Sequence, residues 1–185
     1  MHARIVDGAC VEFIQHNPEG LYHPSIRWAP VPVFLERFAV LGYIEQEGAA
    51  APPSLDFLRE QVKALATSQR KQVETGGITL ADGSRILTAK DDQDRIDTAL
   101  ANMERYAIKS LDFKAASGFV TLGYDQLKAI GAAVVAHVQG CFTAEMKHHA
   151  AIDALQDAEA VASYDYLSGW PTGKAAAPAA AEPAE

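Results

Sequence analysis

Three dipeptides, Asp7-Gly8, Asp82-Gly83 and Ser117-Gly118, each sit between short runs in which apolar and polar residues alternate. Glycine takes positive φ without steric cost, so such pairs close tight β-hairpin turns. Between and after these hairpins the apolar residues change spacing to three and four, the period of an amphipathic helix. The alternation predicts an α+β fold. Its order is a small β-rich N-terminal module, a linker helix, then a hairpin-helix-hairpin-long helix module.

The first hairpin covers Ala3 to Ile14, with Ala3–Val6 and Cys10–Ile14 as its strands. Asn17-Pro18-Glu19-Gly20 reads as a loop. From Tyr22 to Tyr43 the prolines hold their predecessors extended, which predicts irregular chain or an edge strand, with a short helical turn over Phe34–Val40. Trp28 and Tyr43 are expected to pack this small unit. Gly42 to Pro53 reads as a linker centred on Gly48-Ala49-Ala50-Ala51-Pro52-Pro53. Ser54 then suits the N-cap of a helix running to about Glu74, ended by Gly76-Gly77. Its stripe is Leu55, Leu58, Val62 and Leu65, with Arg59, Glu60, Lys63 and Arg70 facing elsewhere. The stripe suits packing within the domain, or a short coiled coil joining identical chains.

Ile78 to Thr88 forms the second hairpin, and Thr88-Ala89-Lys90-Asp91 resembles a capping box for a helix that buries Ile96, Ala99, Leu100, Met103 and Ala107. Phe113 to Leu122 forms the third. The last helix runs from about Tyr124 to Leu155, with Leu127, Ile130, Val134, Val138, Cys141 and Phe142 as its apolar face. Gly131 and Gly140 each cost about 1 kcal/mol against alanine in a helix interior, which points to tight packing or a bend. Such a helix exceeds what a small domain covers, so one end is expected to project or to meet a partner. Ala158 to Leu167 predicts a final short helix. The domain boundaries expected are 1–47, 48–75 and 76–171, followed by a disordered Ala/Pro tail over 172–185.

The formal charge is −8 with no basic cluster, which argues against nucleic acid or an anionic membrane as partner. No apolar run stands out as membrane-spanning, and no basic-then-apolar leader opens the chain, so folding in a cytoplasm is expected. Cys10 and Cys141 read as buried free thiols. Glu145, His148 and His149 share a helix region, but metal ligation needs further ligands that no other His or Cys pair supplies, so solvated surface is the expectation. The acidic start Asp91-Asp92-Gln93-Asp94 suits the helix dipole and lacks the glycine and closing glutamate of a calcium loop. No nucleophile elbow, phosphate loop or dinucleotide fingerprint is present. The expectation is no catalytic residue, no cofactor and no metal.

The order of hairpin with an Asp-Gly turn, helix, short hairpin and long Ala-rich helix resembles a domain of uncharacterised function common in tailed-bacteriophage genomes, over about residues 76–171. Phe113-Lys114 stands where that family commonly has Trp-Lys, and Gly169-Trp170-Pro171 matches its ending. The opening hairpin, His23-Pro24 and Gly42-Tyr43 are similar to the start of many tail-associated proteins. The resemblance implies a non-enzymatic structural or adaptor protein at the tail tip, baseplate or fibre attachment. Its expected partners are other phage tail proteins and copies of itself. A tail-fibre assembly chaperone is the alternative, and a glycan-binding or glycan-cleaving module the remote one. Leu55, Leu58, Val62, Leu65, Tyr164, Tyr166 and Trp170 are the candidate partner contacts, because Tyr and Trp dominate interface hot spots; for Tyr164, Tyr166 and Trp170, internal packing over the base of the long helix is the favoured reading.

Overall fold

The computed structural model describes residues 1–40, 42–116 and 118–175. The chain is α+β and divides into two compact units, Met1–Ala66 with His148–Tyr166, and Thr67–Lys147 with Leu167 onward. The contiguous boundaries expected from sequence do not hold, because the end of the long helix and the chain after it join the N-terminal strands in the first unit.

Unit one is an antiparallel five-stranded sheet in the order β3-β1-β2-β4-β5. Its strands are β1 (His2–Val6), β2 (Ala9–Ile14), β3 (Arg27–Pro30), β4 (Ile44–Gln46) and β5 (Ala49–Ala51), with a 3-10 helix over Val33–Phe38. Asp7 and Gly8 both have positive φ, 50° and 79°, as a two-residue hairpin turn of this kind requires. Glu47 and Gly48 repeat the device at 51° and 82°, so the stretch expected to be a linker is a hairpin. Alternate residues Ala3 and Ile5 of β1 point into a core with Cys10, Ala29, Val31, Leu35, Phe38 and Tyr43.

Helix α1 (Leu55–Thr75) begins where Ser54 Oγ accepts from Phe57 N at 3.1 Å. Leu58 and Val62 are fully buried in the core of unit one. Arg59 reaches back to the Leu155 carbonyl, and Lys63 pairs with Asp153 at 2.6 Å, so the end of the long helix is held from α1 within this unit. The short helix α4 (Ala158–Ala162) is capped by Asp157 and ends five residues before the expected Leu167.

Unit two contains β6 (Ile78–Thr79), β7 (Arg85–Ile86), α2 (Lys90–Arg105), β8 (Ser110–Ala115), β9 (Gly118–Gly123) and most of α3 (Tyr124–Ala154). Its core joins Ile78, Ile86, Ile96, Met103 and Phe113 to Leu127, Ile130, Val134 and Val138 of α3. Gly131 has its reason here: a Cβ there meets Leu100 Cδ1 at 3.2 Å and Ile96 Cγ2 at 3.3 Å. At Gly140 a Cβ meets Pro171 Cγ at 3.1 Å. Both glycines reflect close packing, as expected.

Several expectations are corrected. Ala107 is not a buried helical residue; it follows α2 at φ 52°, while Ile108 N returns to Met103 O at 3.0 Å in a left-handed cap. Phe142 is 45% exposed and does not belong to the buried face of α3. Both ends of α3 contribute to a core, Leu127 to that of unit two and Ile152 to that of unit one. By length and composition α3 is also apolar enough to cross a membrane, with mean hydropathy 1.3 over 18 residues, against the expectation that no segment is. Its buried apolar residues are spent on these two protein cores. Of the expected tail, Thr172–Ala175 are placed, with Lys174 bridging in parallel to Thr79; the rest of that expectation, and Ser117 of the third turn, lie outside the described residues.

Candidate functional site

In unit two, polar side chains gather at the C-terminal end of α1. A helix leaves its last carbonyls without partners, and here three elements supply them. His137 Nε2 on α3 donates to Val73 O at 3.0 Å. The Thr88 hydroxyl donates to Glu74 O and accepts from Gly77 N at 2.9 Å. Arg85 Nη2 donates to Gly76 O at 2.6 Å. Thr88 is therefore no capping box for α2, whose N-cap is Ala89 without a side-chain bond. It is fully buried and ties the second hairpin to α1.

One turn earlier, Arg70 is buried between two carboxylates. It hydrogen-bonds Glu74, and its Nε lies 2.8 Å from Glu145 Oε2 without hydrogen-bond alignment. Its guanidinium also covers the Phe142 ring at 4.4 Å. Arg70 does not face solvent, then, and Glu145 is no solvated partner of a histidine. His148 is likewise buried, sharing a 2.8 Å hydrogen bond with the Tyr164 hydroxyl in unit one.

Cys141 Sγ lies 3.9 Å from His137 Nε2, a pairing that in other settings generates a nucleophile. Here the same Nε2 is committed to Val73 O. Cys141 is wholly buried, and burial, then the Glu74 charge, push its thiol above the ordinary value against the opposing pull of Arg70. A thiolate is disfavoured, and the sulfur packs as a small apolar group. Cys10 is also buried and free, its thiol raised by burial and then by Glu45. A hollow of about 320 Å³ opens beside this cap, lined by Arg85, His137, Gly77 and Pro171–Gly173. Among the described residues, no group of three or more His, Cys, Asp or Glu is placed to hold a metal ion.

Of the two uses open to the sequence-derived contact residues, packing within the fold and contact with a partner, Leu55, Leu58, Val62, Leu65, Tyr164 and Tyr166 take the first. Leu58 and Val62 are fully buried and Leu55 and Leu65 pack against the same core, so this stripe serves unit one and is not free to form an intermolecular coiled coil. Tyr164 and Tyr166 also pack on that core, Tyr166 with Arg37 above its ring at 5.8 Å. Trp170, half-buried, belongs to unit two. The open apolar surface lies elsewhere. Phe119 on β9 is 77% exposed, and Val135, Phe142 and Met146 line an exposed side of α3. The alternation around Phe119 predicts a hairpin but does not by itself say which face the ring takes. Its opposition to Lys114 across the turn is the signal that marks the solvent side.

The architecture is that of an α+β protein with buried polar groups at the end of α1 and exposed apolar residues on a hairpin and a helix flank. The family described as "Domain of unknown function (DUF4376)" matches residues 57–167, more than half of the chain, and the chain belongs to it. No curated protein and no solved structure matches.

Proposed function

We propose that this chain is a non-enzymatic structural or adaptor protein of a phage tail, at the tail tip, baseplate or fibre attachment, acting through contacts with other tail proteins and with copies of itself. The observation that carries the protein-contact reading is the β8–β9 hairpin. It is a two-stranded sheet, and its β9 strand, Gly118-Phe119-Val120-Thr121-Leu122-Gly123, has no charge and no proline. An exposed apolar edge strand of this kind is a template for another chain. Natural proteins blunt such edges unless a partner covers them. The buried thiol and committed histidine at the α1 cap favour the same reading, since both serve packing. The location in a tail rests on the resemblance of the hairpin-helix-hairpin-long helix order to the phage-genome domain.

Peptide mass spectrometry of highly purified phage particles tests it. Peptides of this chain at the stoichiometry of a symmetric tail component are the expected result. Presence in the infected-cell lysate with absence from particles overturns the virion assignment and favours an assembly chaperone.

A further inference from the structure

We infer that the hollow beside β5 in unit one docks a cationic segment of a partner protein, with an apolar side chain at its centre. This rests on the protein-contact reading above and names the chemistry of one partner. The hollow measures about 570 Å³. Phe34, Leu35 and Leu55 supply apolar walls, and the small Ala49–Ala51 side chains complete the lining. Val33, between the lining residues Pro32 and Phe34, is 84% exposed. Pro52 and Pro53 follow β5 directly and have no N–H, so this edge is poorly suited to adding a strand. The hollow takes side chains.

Charge selects the occupant. The lining carries two carboxylates, Glu47 and Asp157, and no Lys or Arg. Of the two, Asp157 is held in place before any partner arrives, while the Glu47 side chain is exposed. Glu47 sits in the hairpin turn, and Asp157 Oδ1 accepts from Ala160 N at 2.8 Å as the cap of α4. A preorganised charge such as Asp157 loses little entropy on binding. A neutral or acidic occupant leaves both carboxylates desolvated and unpaired, which is unfavourable; a lysine or arginine on each side of an apolar anchor pairs them. Unit one does not supply such cations to a second copy. It holds twelve Asp and Glu against five Lys and Arg. Each of the five is engaged: Arg4 with Glu12, Arg27 with Glu45, Arg37 with the Ala162 carbonyl, Arg59 with Asp56 and Lys63 with Asp153.

The test is an NMR titration of the ¹⁵N-labelled full chain with a capped Lys-Lys-Leu-Phe-Lys-Lys peptide, and with its Glu-Glu-Leu-Phe-Glu-Glu counterpart. The expected result is saturable shifts over residues 47–55 and 156–158 with the basic peptide alone. Glu47→Lys with Asp157→Asn weakens binding about fivefold or more, as for loss of two rim ion pairs. Asparagine keeps the α4 cap, so Asp157→Asn alone guards against a folding defect in the double variant. No shift at millimolar peptide overturns the inference. So do equal binding of the acidic peptide, shifts centred outside the hollow, or the same shifts on raising protein concentration without peptide, which identify a second copy as the occupant. Failure here leaves the particle measurement untouched, because only this hollow is read.

Discussion

The sheet of unit one and the hairpins of unit two treat their edges in opposite ways. In unit one the outer strands are β3, which ends at Pro30, and β5, three residues long and followed by Pro52-Pro53. Short length and proline are the devices by which proteins keep an edge from recruiting another strand. In unit two, among the described residues, β8 pairs with β9 alone, and β9 carries no charge and no proline. β8 keeps Asp112 and Lys114 on its solvent side, while β9 offers Phe119 and Thr121 opposite them. This contrast between two blunted edges and the uncharged β9 is what supports the proposal that β9 is a contact surface.

Core truncation is the strongest way to test whether the units are separate. Leu58→Ala in unit one and Leu127→Ala in unit two remove fully buried side chains, and each is expected to cost about 3 kcal/mol. Hydrogen exchange should lose protection chiefly in the unit that carries the change. Equal loss throughout from either variant means one cooperative structure, and the comparison fails at that level. Next comes Arg70→Met. It leaves Glu74 and Glu145, at 17% and 15% side-chain exposure, facing each other without a cation. A loss of about 2–3 kcal/mol follows, below the value for a fully buried pair because water still reaches the site. Adding Glu74→Gln and Glu145→Gln restores most of it in urea denaturation. A lone Arg70→Met variant as stable as the parent excludes the buried cluster as a support of unit two.

The sequence made regular elements legible where one local rule sufficed. Asp7-Gly8 and Asp82-Gly83 marked hairpins, Ser54 marked a cap, and the spacing from Leu127 to Val138 marked a core helix face. Glu47-Gly48 escaped notice because its strands are short alanine-rich segments with little β-propensity, and only the pairing of β4 with β5 holds glutamate at positive φ there. Thr88 has the residue type of a cap, yet a hydroxyl bonds whichever backbone groups lie nearest, and those belong to α1. The α1 cap gathers Arg70, Arg85, His137 and Glu145 from positions up to 75 residues apart, since Glu145 meets Arg70. No spacing rule encodes such a contact. Polar residues read as surface were buried because their partners came from distant segments.

Tyr43 sharpens the contrast at lower energy. It is fully buried in unit one, and its hydroxyl has no hydrogen-bond partner among the described residues. Burial, and then Cys10, push its pKa from 10.0 up to about 12. A phenol whose folded value is raised gives stability that is present below pH 10 and lost as pH rises toward 12. Tyr43→Phe removes that slope. Because it also removes an unsatisfied buried hydroxyl, it should be neutral or stabilising by about 1 kcal/mol at pH 7. Urea denaturation at pH 7 and pH 11 checks both claims. A clear loss of stability at pH 7 means that the hydroxyl finds a hydrogen-bond partner in solution, and that the core of unit one admits water there.

The smallest expected effect on stability bears most directly on the open edge. Phe119→Lys changes a side chain that is 77% exposed, so the unfolding free energy should stay within about 0.5 kcal/mol of the parent. Lysine on an edge strand is a natural block to pairing. If β9 is a contact surface, the variant should lose self-association in analytical ultracentrifugation, or fail to enter particles, while melting normally. Thr121→Lys, on the same face two residues on, should act alike, and Val11→Lys on the already paired β2 should leave association unchanged. A Phe119→Lys chain that melts early shows the ring to be part of the unit-two core. One that melts normally and still associates and assembles shows that the open edge is not used, and the contrast between blunted and unblunted strands then carries no functional meaning.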